Sequence, residues 1–241
     1  MHKDALYWFL TKALDWLLWG GELMNGENLP THTEYPVVFV SNHAAALGPI
    51  AVISSLPVRV HPWVISDMLE WDKAAAYLCK DFVEPQLHIS PPFSMRISKL
   101  ISQASVRLLR ALEGIPVWHG EKLFETYRIS LQSLVRGKSI LVFPENPALP
   151  MNEWFLMTPF EKSIARLGEL YFEQTKRILP FFPLAIHPAE RKMNIGKPIL
   201  YNPHNDPVRE RIRIKDVIEA IIHDLYLNIT LENHAGIPLP H

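Results

Sequence analysis

An apolar run that ends abruptly constrains this chain more than any other feature. Val37-Val38-Phe39-Val40 is an unbroken β-branched and aromatic stretch, followed at once by the polar group Ser41-Asn42-His43. Such a run predicts a strand buried on both faces, as in a parallel sheet. Gly48-Pro49 then opens a helix, because Gly is accepted at the N-cap and Pro at the first helical position. His43 therefore belongs to a strand-to-helix crossover, at the carboxyl end of a sheet strand. In open α/β sheets that edge is where ligands and chemistry gather.

The rest of the chain continues the alternation. Strands are predicted over 58–65, 114–117, 139–143, 178–186 and 193–200, and helices over 67–78, 94–112, 121–136, 160–176 and 206–230. Pro85, Pro91 and Pro92 force a loop before the 94–112 helix, and a Pro-rich loop runs from Pro144 to Pro159. The tail from Asn233 to His241 reads as frayed. Strands alternating with helices, without internal repeats, predict an α/β fold: a single layered domain over 25–241, with a mainly parallel sheet flanked by helices. Residues 1–24 form a separate N-terminal element, an aromatic amphipathic helix.

That helix is read over 4–19 and closed by Gly20-Gly21. Asp4, Thr11, Lys12 and Asp15 fall on one narrow stripe, leaving the remaining circumference to Leu, Phe, Tyr and three Trp. So apolar a helix either packs on the domain or lies in a bilayer interface, where Trp and Tyr suit the headgroup level. The 94–112 helix carries Arg96, Lys99, Arg107 and Arg110. Its basic residues form either a solvated face or a contact surface for lipid headgroups or an acyl carrier.

Composition removes several function classes. Twenty-four basic and twenty-five acidic side chains leave a net charge of −1, so no global electrostatic footprint for nucleic acid exists. Cys79 is the only cysteine, which rules out an intrachain disulfide and suits a small buried hydrophobe in a reducing compartment. The N-terminal apolar stretch is interrupted by charges and lacks a small-residue cleavage site, so no signal peptide is expected. No apolar run approaches the roughly 18 residues of a spanning helix. The eleven His include no His-Glu-x-x-His or Cys/His cluster, so no metal site is expected. Without a Gly-x-Ser-x-Gly elbow, P-loop or dinucleotide fingerprint, no bound cofactor is expected either.

Asn42-His43 after a buried strand resembles the first signature of the PlsC-type glycerolipid acyltransferase family, Asn-His-x-x-x-x-Asp, with Gly48 at the last position. The lead-in Gly26-Glu-Asn-Leu-Pro30 fits that family too. Gly114-Ile-Pro-Val-Trp-His119 stands where the family has a strand ending in Arg, and Val142-Phe-Pro-Glu145-Asn-Pro-Ala148 stands where it has Phe-Pro-Glu-Gly-Thr-Arg. Lys162-Ser-Ile-Ala-Arg-Leu-Gly168 resembles its Lys-Gly-Ala-x-Arg-Leu-Ala helix. Leu179 to Ile186 and Ile195-Gly-Lys-Pro-Ile199 resemble the last two blocks. The resemblance covers about Gly26 to Pro203, in the family's order.

The resemblance implies that His43 is the general base on an acceptor hydroxyl, which attacks the thioester of acyl-CoA or acyl carrier protein as co-substrate. It implies acceptor-binding roles for Asn42, His119, Glu145 and Lys162. The expected partners are an acyl thioester donor, a lipid or small hydroxyl acceptor and a peripheral membrane surface, with the protein cytoplasmic on the inner face of a membrane. Departures from the pattern open an alternative. The Asp that would orient the imidazole is Gly48, and two Arg positions are occupied by His119 and by the segment Asn146-Pro147-Ala148, so bidentate phosphate contacts are lost. A catalytically inactive protein of the same fold, binding lipid or a protein partner, is the second expectation. His43 is then a structural residue and Glu145 a loop anchor. On the catalytic reading either Asp67 or Asp72 supplies a substitute acid to His43, or the imidazole has no charged orienter and an acid placed at 48 would face it across one turn.

Overall fold

The computed structural model describes residues 2–30, 35–44, 47–85 and 87–234. In chain order the elements begin with α1 (His2–Leu14), β1 (Glu22–Met24), β2 (Val38–Ser41), α2 (Leu47–Ser55) and β3 (Val60–Ile65). They continue with α3 (Trp71–Leu78), α4 (Phe93–Ala111), β4 (Ile115–Val117), α5 (Leu123–Val135) and β5 (Ser139–Val142). The last are α6 (Arg166–Thr175), β6 (Pro180–His187), β7 (Lys192–Ile195), β8 (Ile199–Leu200) and α7 (Pro207–His234). The chain groups into two compact units, the larger from residues 8–60 and 130–241 and the smaller from 1–7 and 61–129.

In the larger unit β6 is the organising strand. Its one edge pairs parallel with β2, in the register Val38↔Phe181 to Ser41↔Leu184, and β2 in turn pairs parallel with β5. The other edge of β6 is shared: its last four residues pair antiparallel with β7, and Pro180 and Phe181 pair with β8. The 193–200 segment is therefore two strands rather than the single one expected. Gly196 marks the break, where an added Cβ would meet the Pro183 ring at 2.9 Å. β1, which the sequence reading did not anticipate, pairs parallel with β7. Every residue of β2 is buried, and so are the inner six of β6, which is why both read as continuous apolar runs rather than alternating ones. Phe39 and Phe181 are fully buried, each worth about 1.5–3 kcal/mol by transfer.

The smaller unit holds the parallel pair β3–β4, in the register Trp63↔Ile115 to Ile65↔Val117, and the packed helices α3 and α4. α4 buries Ser94, Ser98, Ser102 and Val106, spaced by four, so its close-packed face is small and its basic residues point outward. Arg107 and Arg110 lie over the Trp71 ring, at 5.4 and 5.1 Å, and Arg110 also donates to the Leu69 carbonyl. Asp67 is paired with Lys73 at 3.9 Å. Parallel pairings predominate in both units, and helices flank them. The expected α/β class is the one the chain adopts.

At the N-terminus, α1 gives way to a wider turn over Asp15–Trp19, closed by Gly20 in the left-handed region (φ +55°), whose N–H reaches the Asp15 carbonyl at 2.7 Å. The turn packs on α2, burying Trp19. Thr11, expected on a polar stripe, is instead buried, with its hydroxyl satisfied by the Trp8 carbonyl. No helix among the described residues is long and apolar enough to cross a membrane. The helix expected from Phe160 begins later, with a 3₁₀ turn at Lys162–Ala165 leading into α6. Of the tail expected to fray, residues 235–241 lie outside the described residues.

Candidate functional site

β2 and β5 run side by side with Val40 opposite Val142, so His43 and Glu145 each follow three residues beyond that pair, at the carboxyl edge of the sheet. The pairing fixes their proximity. The His43 backbone N–H donates to Oε1 of Glu145. Oε2 of Glu145 accepts the Thr158 N–H at 3.0 Å and its hydroxyl at 3.5 Å. One carboxylate thus ties the β2 crossover to the far end of the loop that follows β5. The His43 side chain is exposed, with its ring edge against Phe143 at 5.2 Å between centroids.

Asn42 has a different environment. It is 1% exposed, its Nδ2 donates to the Ile186 carbonyl at 2.9 Å, and its Oδ1 accepts the Ile186 N–H at 2.7 Å. The side-chain amide continues the β2–β6 ladder beyond its last backbone pair, Ser41↔Leu184. Both of its backbone-facing hydrogen bonds are with β6.

The crossover itself is tight. Ala44 has a left-handed backbone (φ +44°), and its carbonyl accepts the Gly48 N–H at 3.3 Å. A Cβ added at Gly48 would lie 1.8 Å from the His43 carbonyl oxygen and 2.6 Å from its carbon. An acid at 48 therefore has no room to face His43 across the turn, contrary to the sequence expectation. In this backbone the position is closed to any side chain.

Lys162 is exposed at the start of the 3₁₀ turn that follows the same loop, one residue after Glu161, whose N–H bonds the Pro144 carbonyl at 2.8 Å. His119 is exposed in the smaller unit, at the N-cap of the 3₁₀ turn Gly120–Lys122. Hence Asn42, His43 and Glu145 are brought together at one sheet edge, and Lys162 joins the loop that Glu145 secures. The described residues contain no cluster of His, Cys, Asp and Glu able to hold a metal ion.

Residues of α7 complete this region, and the sequence reading did not single them out. Glu219 accepts the Phe160 N–H at 2.9 Å and pairs with Lys215 at 2.6 Å. One turn on, His223 stacks on Phe155 with centroids 4.0 Å apart and planes within 4°. Burial pushes His223 below the ordinary histidine range, against the opposing pull of Glu219, Asp224 and Glu145, while Lys215 adds to the lowering. At the end of β6, His187 stacks on Tyr226 at 4.5 Å, and its Nδ1 accepts the Glu190 N–H at 3.3 Å. Burial lowers it as well, against Glu190. The spacing of Lys215, Glu219 and His223 by four along one helix was the signal in the sequence that could have marked this face.

No family model matches the sequence, and no curated protein matches it. Among solved structures, the fold is similar to the crystal structure of the 1-acyl-sn-glycerophosphate (LPA) acyltransferase PlsC from Thermotoga maritima, with a TM-score of 0.53 and 12% identity. The match spans 92% of this chain and 79% of that one. At this identity the likeness concerns the acyltransferase-like fold.

Proposed function

We propose that the protein transfers an acyl group from an acyl thioester to the hydroxyl of a lipid or other small acceptor, at a membrane surface, with His43 as general base. The observation that supports this reading is the exposed imidazole of His43 at the carboxyl end of β2, in a fold similar to that of a lysophosphatidic acid acyltransferase. In the proposed reaction His43 takes the proton of the acceptor hydroxyl, and the oxygen attacks the thioester carbonyl. The C–S bond then breaks, and the leaving thiolate takes the proton back from the imidazolium. Glu145 positions the backbone of His43, and Lys162 supplies a cation for an acceptor phosphate.

A second reading draws support from Gly48. Because that position is closed to a carboxylate, a protein of this fold that binds lipid or a partner without turnover fits the same site. Incubation with labelled acyl-CoA and a panel of lysophospholipids, glycerol 3-phosphate and uncharged alcohols separates the two. Product formation that disappears in His43→Ala is the expected result. Lipid binding without turnover, equal in wild type and His43→Ala, overturns the enzyme reading in favour of the second.

A further inference from the structure

The loop after β5 has two unlike sides. Its base is tied by Asn146 N–H to the Pro159 carbonyl at 3.0 Å and by Glu161 N–H to the Pro144 carbonyl at 2.8 Å. Its inner side is anchored, with Met157 buried and Phe155 stacked on His223. The outer side presents Leu149, Met151, Trp154 and Leu156 to solvent, and Trp154 is 81% exposed. Between Pro147 and Thr158 the only charged side chain is that of Glu153.

The tip pairs several of its own backbone groups. Asn152 N–H donates to the Met157 carbonyl at 2.7 Å, and Leu156 N–H to the Asn152 carbonyl at 2.8 Å. The Asn152 side-chain oxygen accepts from the N–H groups of Trp154 and Phe155, at 2.9 and 3.3 Å. These pairings hold the tip in one shape and reduce the number of backbone donors that docking must strip of water. Tryptophan at the tip suits the headgroup level, and the lack of Lys and Arg removes any attraction specific to anionic lipid.

We propose that the 146–159 loop is a membrane-docking element that enters the headgroup layer of a zwitterionic phospholipid bilayer with Trp154 leading. Because Glu145 joins the loop base to His43, docking there places a lipid-borne acceptor beside the imidazole. That last step rests on the function proposed above, whereas the docking itself rests on the loop alone.

The test uses the full chain carrying Met151→Cys, labelled with an environment-sensitive nitrobenzoxadiazole dye, since the one native cysteine, Cys79, is buried. Added phosphatidylcholine vesicles should shift the dye emission to the blue. Trp154→Ser in the same labelled protein should weaken vesicle binding several-fold without changing its thermal unfolding, because the indole makes no buried packing. Dye emission indifferent to vesicles overturns the proposal. So does an emission shift that follows protein concentration rather than lipid and disappears with a dimer in sedimentation velocity, since the loop would then be covered by a second copy. A lipid-dependent blue shift in a protein that transfers no acyl group upholds the docking loop while the enzyme reading fails. His43-dependent turnover with silent dye has the opposite meaning.

Discussion

The Gly48 position lies against the carbonyl of His43, so closely that a Cβ there would sit 1.8 Å from its oxygen. Gly48→Asp is therefore expected to displace the crossover and destabilise the protein by about 1–3 kcal/mol, the range for forcing volume into a packed site. It should lower, not raise, any acyl transfer. Gly48→Ala should show nearly the same loss in thermal unfolding, because the clash belongs to Cβ and not to the charge. An alanine variant with wild-type unfolding temperature and a faster aspartate variant would contradict this geometry.

Glu145 answers to two backbone donors, the N–H groups of His43 and Thr158, one on each oxygen, with the Thr158 hydroxyl beside the second. A Gln side chain can accept on one side only and must turn its NH₂ toward the other N–H. Glu145→Gln should thus cost about 0.5–1.5 kcal/mol, the range for losing one hydrogen bond whose donor can still reach water. If the proposed reaction is present, the loss should fall on kcat more than on KM, since His43 would lose its backbone tether while the acceptor contacts remain. Urea unfolding of the two variants Glu145→Gln and Glu145→Ala, read beside their kinetics, checks both parts.

How much of this was legible depended on the range of the interaction. Val37 to Val40 carried a strong local signal, and Asn42 and His43 came with it, because a strand that ends in polar residues marks the carboxyl edge of a parallel sheet. The amide bridge from Asn42 to Ile186 was not readable, since it joins residues far apart in sequence and asks only for an Asn at one end. The same holds for Glu145, whose type suggested an acceptor contact or a loop anchor equally. β1 was missed because three residues, Glu22–Met24, are too short to show a period. The α6 start was misplaced because Phe160 looks helical in pattern, yet its N–H is taken by Glu219 and its backbone pairs with Glu145.

The two lowered histidines give the fold an acid-sensitive stability. His187 and His223 both hold protons less readily when folded than when unfolded, chiefly through burial. Above the unfolded value, near 6.5, neither state is charged and stability is unaffected. As pH falls below it the unfolded chain binds protons first, so stability drops until the folded histidines take up their protons in turn. Unfolding temperature measured from pH 7.5 to 5 should decline, and His187→Gln with His223→Gln should flatten the decline. A profile unchanged by both substitutions would show that other groups cause it.

A second acid transition is expected from Glu210, which is buried and gathers the N–H of Asn202 at 2.8 Å, the Asn205 amide at 2.7 Å and the Arg213 guanidinium at the start of α7. Burial alone would raise its carboxyl, but Arg213, Asn205 and Asn202 outweigh burial and hold it below the ordinary range. Its contribution is therefore complete above the unfolded value of 4.5 and is lost as pH falls through the lower folded value. Glu210→Ala should cost about 3 kcal/mol at neutral pH, the low end for breaking a buried ion pair, because Arg213 is partly exposed and regains water. Chemical denaturation at pH 7 and 4 should show the gap between wild type and variant shrinking in acid.

The N-terminal segment is packed at some residues and exposed at others. Trp19 is buried on the turn that packs against α2, and Gly21 is kept free of a side chain by the Trp19 ring, 2.3 Å from where its Cβ would stand. Trp16 is 83% exposed, and Phe9, Leu17 and Leu18 are exposed with it. Removing residues 1–19 should therefore damage the fold, since it takes Trp19 as well as the exposed side chains. Trp19→Ala alone should cost about 3–5 kcal/mol, the range for deleting a buried aromatic. Trp16→Ser with Leu17→Ser should leave unfolding within about 0.5 kcal/mol of wild type, as expected for surface positions. The same pair should reduce cosedimentation with phosphatidylcholine vesicles if this face meets the bilayer. Full retention on vesicles by the stable double variant would remove the segment from the membrane surface and leave it a packing element.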